Sequence, residues 1–434
     1  MEKKEPCDIE DLLVQSAAMP SRGPESLEEV VSSGLCSSCG ACEAVLGSEA
    51  VSMQFQEPHS RLRPCFHRRL TPEEQKKVLK ICPGAFVGGQ EGMAGMVHTN
   101  DPVVGGYVSM HCGHAADPGV RHKAAAGGGL TALALHLLES GEVQCIVHAN
   151  PSVYYRDLTS SGSRVSRTKE ELLGGMGSRY ARTAVLQGIS DVICSGELFA
   201  LIGKPCDINA MVNGLGSVWK GANCRYLLSI SCGMYPDGTT PDKFLQMHKI
   251  ESEDVETFQW RGNGCPGDCP GVVTKSGKSF AMDYVDFWTV PPRNHSILHT
   301  WQWRCKLCPD YLGMQADVVV MDCWPRSEPE HRDSMTPSRA GERDGWVYIV
   351  ARTPQGSGLV QRAEEAGTLV LYEDRTPGFE DIRFRQPHQV RRALTQWSRR
   401  LAHSESSHPV PPRVFRWGER QSRLPKQHCG GRIC

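Results

Sequence analysis

The stretch that most constrains this chain is Cys36-Ser37-Ser38-Cys39-Gly40-Ala41-Cys42, a C-x2-C-x2-C run in which successive thiols converge on one small centre while the backbone wraps it. A further thiol followed by proline, Cys82-Pro83, lies downstream. A cubane iron–sulfur cluster takes four thiolates, commonly three from one tight run and a fourth, before a proline, from elsewhere. Gly34 and Gly40 let the backbone come close and donate N–H groups toward the sulfurs. Structural zinc more naturally uses two separated C-x2-C pairs, or Cys with His. The expected metal set is therefore Cys36, Cys39, Cys42 and Cys82, with Cys65 competing for the fourth place and a zinc knuckle as the plainer alternative.

The chain carries 19 cysteines in 434 residues, far more than packing needs, and the number is odd. The N-terminus lacks the basic-then-apolar order of an export signal, so a disulfide framework is not expected and metal or redox chemistry is. Lys and Arg total 48 against 49 Asp and Glu, which gives no electrostatic reason to expect a nucleic-acid or membrane-surface partner. No apolar run approaches the ~18 residues of a spanning helix. A cytoplasmic protein is the default expectation, with a plastid location left open.

From about residue 105 the texture changes to short apolar runs punctuated by glycine. Leu130 to Leu138 carries a helical stripe, Val143 to Ala149 reads as a strand, and runs at 198–202, 226–231 and 318–321 suit strands covered on both faces. Helices are expected at 169–175, 207–214 and 241–248. A last unit has a strand at Trp346 to Ala351 and a helix ending near Leu401, before a tail rich in Pro, Ser and Arg. The fold class is α/β, or α+β, with layers of helices on a sheet.

Four more cysteines fall where ligands gather in such folds. Cys206 follows Gly203-Lys204-Pro205 at a strand end, Cys232 ends the strand at 226–231, and Cys305 and Cys308 form a C-x2-C. Thiolates from three separate turns are candidates for a second cluster, with Cys265 and Cys269 as substitutes; inert core cysteines are the alternative. Cys145, Cys194, Cys224 and Cys323, in or beside apolar runs, read as core. Gly127-Gly128-Gly129 opens a helix, where backbone N–H groups can meet a phosphate. Gly177-Ser178-Arg179-Tyr180 offers a hydroxyl, a guanidinium and an aromatic face, Gly203-Lys204 a cation at a tight turn, and Arg261-Gly262-Asn263-Gly264 a fourth polar turn. These turns fit a pocket for a phosphorylated, planar cofactor, and fit equally a plain sheet with glycine turns. Asp207, Asp283, Asp317 and Asp322 are candidate proton donors, more simply caps or surface carboxylates; His114, His136 and His148 read as structural.

In order, Gly34-Leu-Cys-x2-Cys-Gly-x-Cys, Gly127-Gly-Gly-Leu-Thr-Ala-Leu, Gly177-Ser-Arg-Tyr, Gly203-Lys-Pro-Cys, Arg261-Gly-Asn-Gly-Cys-Pro-Gly, Cys305-x2-Cys-Pro-Asp, Ala316-Asp317 and Gln386-Pro-His-Gln-Val-Arg-Arg resemble the family of the beta subunits of coenzyme F-420-reducing hydrogenases and dehydrogenases, which includes 7-hydroxymethyl chlorophyll a reductase. The motifs span about 34 to 400. The resemblance implies an enzyme, an iron–sulfur flavoprotein oxidoreductase. Electrons from a ferredoxin-like donor would pass through 4Fe-4S clusters to FAD and on to F-420, a tetrapyrrole or another small acceptor. The alternative is a non-catalytic electron-transfer subunit with a partner subunit. It implies an N-terminal extension (1–33), a ferredoxin-like iron–sulfur segment (34–95), an FAD-binding α/β catalytic domain (105–330), a small C-terminal α/β extension (331–403) and a disordered basic tail (404–434). FAD is expected at Gly127, Gly128, Gly129, Gly177, Ser178, Arg179, Tyr180, Gly203, Lys204, Arg261 and Asn263. Lys204 is the expected catalytic residue, and Cys206, Cys232, Cys305 and Cys308 are the second cluster's expected ligands. Two features depart from the family pattern: Cys82 is distant from Cys42, and Ala124-Ala125-Ala126 stands where related chains often have Ser before the glycines.

Overall fold

A computed structural model describes residues 23–372 except 57–60, 89, 91–94, 96–103, 152–160, 216, 220–221, 237–238, 266, 284–300 and 324–343; beyond 372 it describes Ile382. The expected helix ending near Leu401, the tail from 404 and the Gln386 motif lie outside the described residues.

The described residues begin with α1 (Leu27–Ser32), capped by Ser26, whose Oγ accepts the Glu29 N–H, and α2 (Ala41–Leu46). An antiparallel pair follows, β1 (Val51–Gln56) and β2 (Arg61–Phe66). Thr71 then starts α3 (Pro72–Ile81) with a full capping box to Glu74 and proline in the first turn. The helix stops at Cys82, which turns extended ahead of Pro83, so local sequence alone delivers this thiol to the end of a helix.

The larger unit is one eight-stranded mixed sheet. Its elements are β3 (Ser109–Ala115), α4 (Pro118–Lys123), α5 (Gly129–Glu139), β4 (Cys145–Pro151), β5 (Ser161–Ser166), α6 (Lys169–Leu173), α7 (Ile189–Ser195), β6 (Phe199–Gly203), α8 (Pro205–Leu215), β7 (Cys224–Ile230) and α9 (Thr239–His248). A separate three-stranded antiparallel sheet, β8 (Val255–Gln259), β9 (Asp268–Thr274) and β10 (Ser279–Asp283), is inserted next. Then come α10 (Trp303–Lys306), β11 (Val318–Asp322), β12 (Val347–Ala351), α11 (Pro354–Glu365) and β13 (Leu369–Leu371). The order in the large sheet is β13-β3-β12-β11-β7-β6-β4-β5. Neighbouring pairs from β4 through β6 and β7 to β11 are parallel, and antiparallel strands flank them on both sides.

The apolar runs predicted at 198–202, 226–231 and 318–321 are β6, β7 and β11, three members of that parallel core, and they are continuous because both faces are covered. In β6, Phe199 and Leu201 pack on one face with Ile208 and Met211 of α8, while Ala200 faces the other with Leu133 and Leu137 of α5. Cys39, Ala41 and Ile81 join the first of these clusters, so the cysteine-rich segment is packed on the α8 face of the sheet. The strand expected at Trp346 to Ala351 is β12, which lies between β3 and β11, and β13 pairs with β3. Of the expected core cysteines, Cys145 and Cys323 are buried and Cys224 is half-buried, but Cys194 is exposed on α7; an apolar neighbourhood in sequence placed it on the outer side of a short helix.

Leu133 of α5 is fully buried against the sheet. Leu133→Ala should lower unfolding free energy by about 2–5 kcal/mol, read as a reduced urea midpoint; an unchanged midpoint would contradict this packing.

Candidate functional site

The carboxyl ends of the four parallel strands open onto a cavity of about 470 Å³. His148 and Ala149 reach it from β4, Gly203 and Lys204 from the end of β6, Ser231 and Cys232 from just beyond β7, and Met321 and Asp322 from β11. Facing them are Gly128 to Thr131 at the start of α5 and Gly175 to Ala181 in the turn after α6. The polar turns singled out in the sequence thus meet at one place. Gly128, Gly129, Gly177, Ser178, Arg179, Tyr180, Gly203, Lys204 and Arg261 all line the cavity.

Gly127 and Asn263 do not line it. Gly127 has φ +85 and a side chain there would meet the Gly345 carbonyl at 2.5 Å, so this glycine serves backbone packing. Asn263 is exposed in a left-handed turn and donates to Gln259.

Gly128 caps α5 in the left-handed conformation and no side chain caps the helix, which leaves its first-turn N–H groups at the cavity wall. Arg179 is nearby: Nη1 donates to the carbonyls of Met176 and Gly177 at 3.2 and 2.9 Å, and Nε has no partner among the described residues. Burial brings its guanidinium down to about 10. A half-buried cation of this kind beside a free helix N-terminus fits an anionic group, and Ala124 to Ala126, Met176 and Tyr180 supply an apolar and aromatic wall. The residues present therefore fit a dinucleotide such as FAD.

Lys204 meets the Asp207 carboxylate at 2.7 Å, and the same oxygen accepts the Lys204 N–H. Burial works against the Lys204 charge, but Asp207, Cys206 and Tyr235 outweigh it and hold the amine protonated. Burial raises Asp207, and Lys204 draws it back. Asp322 accepts from Arg261 at 3.0 Å. Asp317 instead accepts from Leu227 N–H and Thr353 Oγ1, a link between β7 and the turn before α11, away from the cavity lining. His148 is buried in the wall: its Nδ1 donates to the Ala149 carbonyl at 2.9 Å, so Nε2 accepts from Ser166 Oγ at 2.7 Å. Burial holds the imidazole at about 4, neutral near pH 7.

The expected thiol sets are each drawn together. Burial raises Cys39, and negative charge on Cys82 and Cys36 raises it further; Cys42 responds to burial, then Cys39, Cys36 and Cys82. Burial pushes Cys82 up to about 11, with Cys36 adding to it. In the second set, Cys206 is raised by burial and then, among other charges, by Cys232 and Cys308, and Cys305, pushed up to about 12, by burial, Cys232 and Cys308. Backbone donors are aimed at the sulfurs. Ser38, in the left-handed region at φ 60, points its N–H to Cys36 Sγ at 3.4 Å, Gly84 and Ala85 serve Cys82, Tyr235 serves Cys305 and Asp310 serves Cys308. Buried thiols with N–H donors that favour the thiolate fit iron–sulfur clusters, whose positive core relieves the charge. Among the described residues no three His, Cys, Asp or Glu come close enough to hold one metal ion; a cubane holds its thiolates at separate corners, farther apart than a single ion does. Cys65 lies on β2 opposite Ser52, and Cys269 is buried in the small sheet's core.

Sequence reasoning missed Tyr235, whose hydroxyl donates to the Ser37 carbonyl at 3.1 Å while its ring lines the cavity. It also missed Arg63, buried between Ser38 Oγ (2.7 Å) and Gln302 Oε1 (2.6 Å). Proximity to Cys232 in sequence was the one available sign for Tyr235; Arg63 had none.

The N-terminal domain of the coenzyme F-420 hydrogenase/dehydrogenase beta subunit matches residues 110–190, and the C-terminal domain of the same protein matches 196–375. One of the subunits of the F(420)H(2) dehydrogenase of Methanosarcina mazei is 22% identical over 373 residues, 82% of this chain and 90% of that protein. The beta subunit of F-420-dependent formate dehydrogenase 1 of Methanococcus maripaludis is 25% identical over 279 residues, 61% of this chain and 67% of that protein. A chain of the F-420-reducing nickel–iron hydrogenase complex from Methanosarcina barkeri has a similar fold, with TM-score 0.50 and 18% identity over 72% of this chain and 94% of that one.

Because the unfolded chain protonates His148 near pH 6.5 and the folded one resists until about 4, the unfolded state binds more protons between these values. Stability should therefore fall as pH drops through that window, by about 3 kcal/mol in all from this group. His148→Gln should flatten that part of the pH–melting curve; an identical acid slope in the variant would show that His148 does not titrate this way.

Proposed function

Because this chain belongs to the family of coenzyme F-420 hydrogenase/dehydrogenase beta subunits, we propose that it is an iron–sulfur flavoprotein oxidoreductase holding two 4Fe-4S clusters and FAD. Membership makes it an oxidoreductase chain with an electron-transfer role. The observation that carries the finer reading is convergence: Cys232, Lys204 and Asp207 line the same cavity as the helix N-terminus at Gly128 and the Arg179 turn. A thiol ligand, a fixed cation and a phosphate-type cradle share one cavity.

When bound, the clusters supply one-electron exchange and FAD joins it to two-electron chemistry. Cys36, Cys39, Cys42 and Cys82, in a ferredoxin-like segment, hold the first cluster, and Cys206, Cys232, Cys305 and Cys308 the second. The α5 N-terminus and Arg179 bind the pyrophosphate. Ala124 to Ala126, Met176 and Tyr180 exclude water from the planar ring. Lys204, fixed by Asp207, faces the cavity as a permanent positive charge and stabilises negative charge that develops there. Asp207 and Asp322 each hold a cation and so orient Lys204 and Arg261. A ferredoxin-like protein is the electron donor, and the acceptor is a small planar molecule. The names of both relatives favour a deazaflavin of the F-420 class over a tetrapyrrole. No helix among the described residues is long and apolar enough to cross a membrane.

A second reading, an electron-transfer subunit that acts only with a partner, is favoured by one observation: the relatives are named as subunits and the solved neighbour comes from a hydrogenase complex. Turnover of F-420 by the isolated, dithionite-reduced chain separates the two, since a subunit would need its partner for flavin reoxidation.

Anaerobically purified protein should show a broad band near 400 nm with flavin features, and about eight iron and eight sulfide per chain. Cys36→Ser should halve the iron and keep FAD. Zinc without iron would end this reading, and FAD leaving with the first cluster would show that the two sites are not separate. Arg179→Met should weaken FAD retention by about tenfold or more, as expected for losing a charge-assisted contact to phosphate; unchanged retention would remove Arg179 from the site.

A further inference from the structure

The first thiol segment and the second meet at α10. The indole of Trp303 packs over Gly34, where an added side chain would meet it at 3.1 Å. One residue earlier, Gln302 is tied through Arg63 to Ser38 inside the first thiol run. Between them in sequence and Cys305 stands Arg304, buried at 3% exposure, and its Nη2 donates to the Pro83 carbonyl at 2.8 Å, directly after Cys82. Among the described residues no carboxylate pairs with it, and Nε and Nη1 make no hydrogen bond. Cys308 lies within hydrogen-bond reach of the same side chain, so Arg304 touches the second thiol turn as well as the turn after Cys82.

Resting on the two-cluster reading above, the geometry points to Arg304 as a positioning residue that serves as a counter-charge shared by both thiol sets, clamping the Cys82-Pro83 turn to the Cys305–Cys308 turn and raising the electron affinity of both clusters together. A guanidinium suits the place because it is always charged and its planar fork reaches the Pro83 carbonyl while leaving other N–H groups toward sulfur. A cluster gains negative charge on reduction, and a buried cation a few ångströms away stabilises that form more strongly than in water. A shared cation also keeps the two potentials matched, so neither site becomes an electron trap.

The test compares Arg304→Lys, which keeps the charge, with Arg304→Gln, which keeps an N–H donor on a shorter side chain but loses the charge. Iron and sulfide per chain are measured first, then each cluster's midpoint potential by EPR-monitored titration of the anaerobic full-length chain. Arg304→Gln should make both clusters harder to reduce by about tenfold or more, ~59 mV for a one-electron couple, and Arg304→Lys should stay near wild type. Should Arg304→Gln load too little iron to titrate while Arg304→Lys loads normally, the charge is again what the sites require. Equal shifts or equal iron loss in both variants, a shift confined to one cluster, or no shift would overturn the proposal. Wild-type protein with one cluster or none would instead fail the two-cluster reading, a result the iron and sulfide count shows before any variant is made.

Discussion

The parallel ladder β4-β6-β7-β11 is the constraint on which the rest depends. Parallel strands place all their carboxyl ends on one edge, so the turns that follow them must leave from the same side. In this chain those ends carry His148, Gly203-Lys204, Ser231-Cys232 and Asp322, and the α5 N-terminus packs across from them. Residues far apart in sequence share a cavity because the register of β6 against β4 and β7 fixes their heights to within a residue. The flanking antiparallel strands complete the burial that lets the central runs be continuously apolar.

Electrostatics at this edge is arranged by burial. Thiols, carboxylates and cations are all withdrawn from water, which is costly for each alone. The compensation is local and specific: Lys204 with Asp207, Arg261 with Asp322, and Arg304 with Cys308 and the Pro83 carbonyl. His148 takes the other route and remains neutral, satisfied by Ser166 and a carbonyl. The wall therefore carries fixed positive charge at Lys204 and Arg179 and no titrating imidazole, an arrangement suited to binding anions and to moving electrons rather than protons.

The cysteine-rich segment is joined to this edge rather than tethered beside it. Cys39 and Ile81 belong to the same core cluster as α8 and the sheet, and Tyr235 spans from the Ser37 carbonyl to the cavity. That packed route joins the first thiol run to the cavity through protein rather than solvent.

Read alone, the amino-acid sequence determined the local features: the C-x2-C-x2-C run, the capping box that starts α3 and the Cys82-Pro83 step that ends it, the apolar runs of β6, β7 and β11, and the glycine turns, because each depends on spacing, propensity and period within a few residues. It read Cys194 as core, though the residue is exposed on α7, because exposure depends on what packs opposite. Only the tertiary structure decided that β12 and β13 join the large sheet, that Arg63 joins Ser38 to Gln302, and that Arg304 reaches the Pro83 carbonyl. Those are contacts between residues separated by tens to hundreds of positions, and no periodicity along a chain encodes a contact that exists only once the layers have been packed.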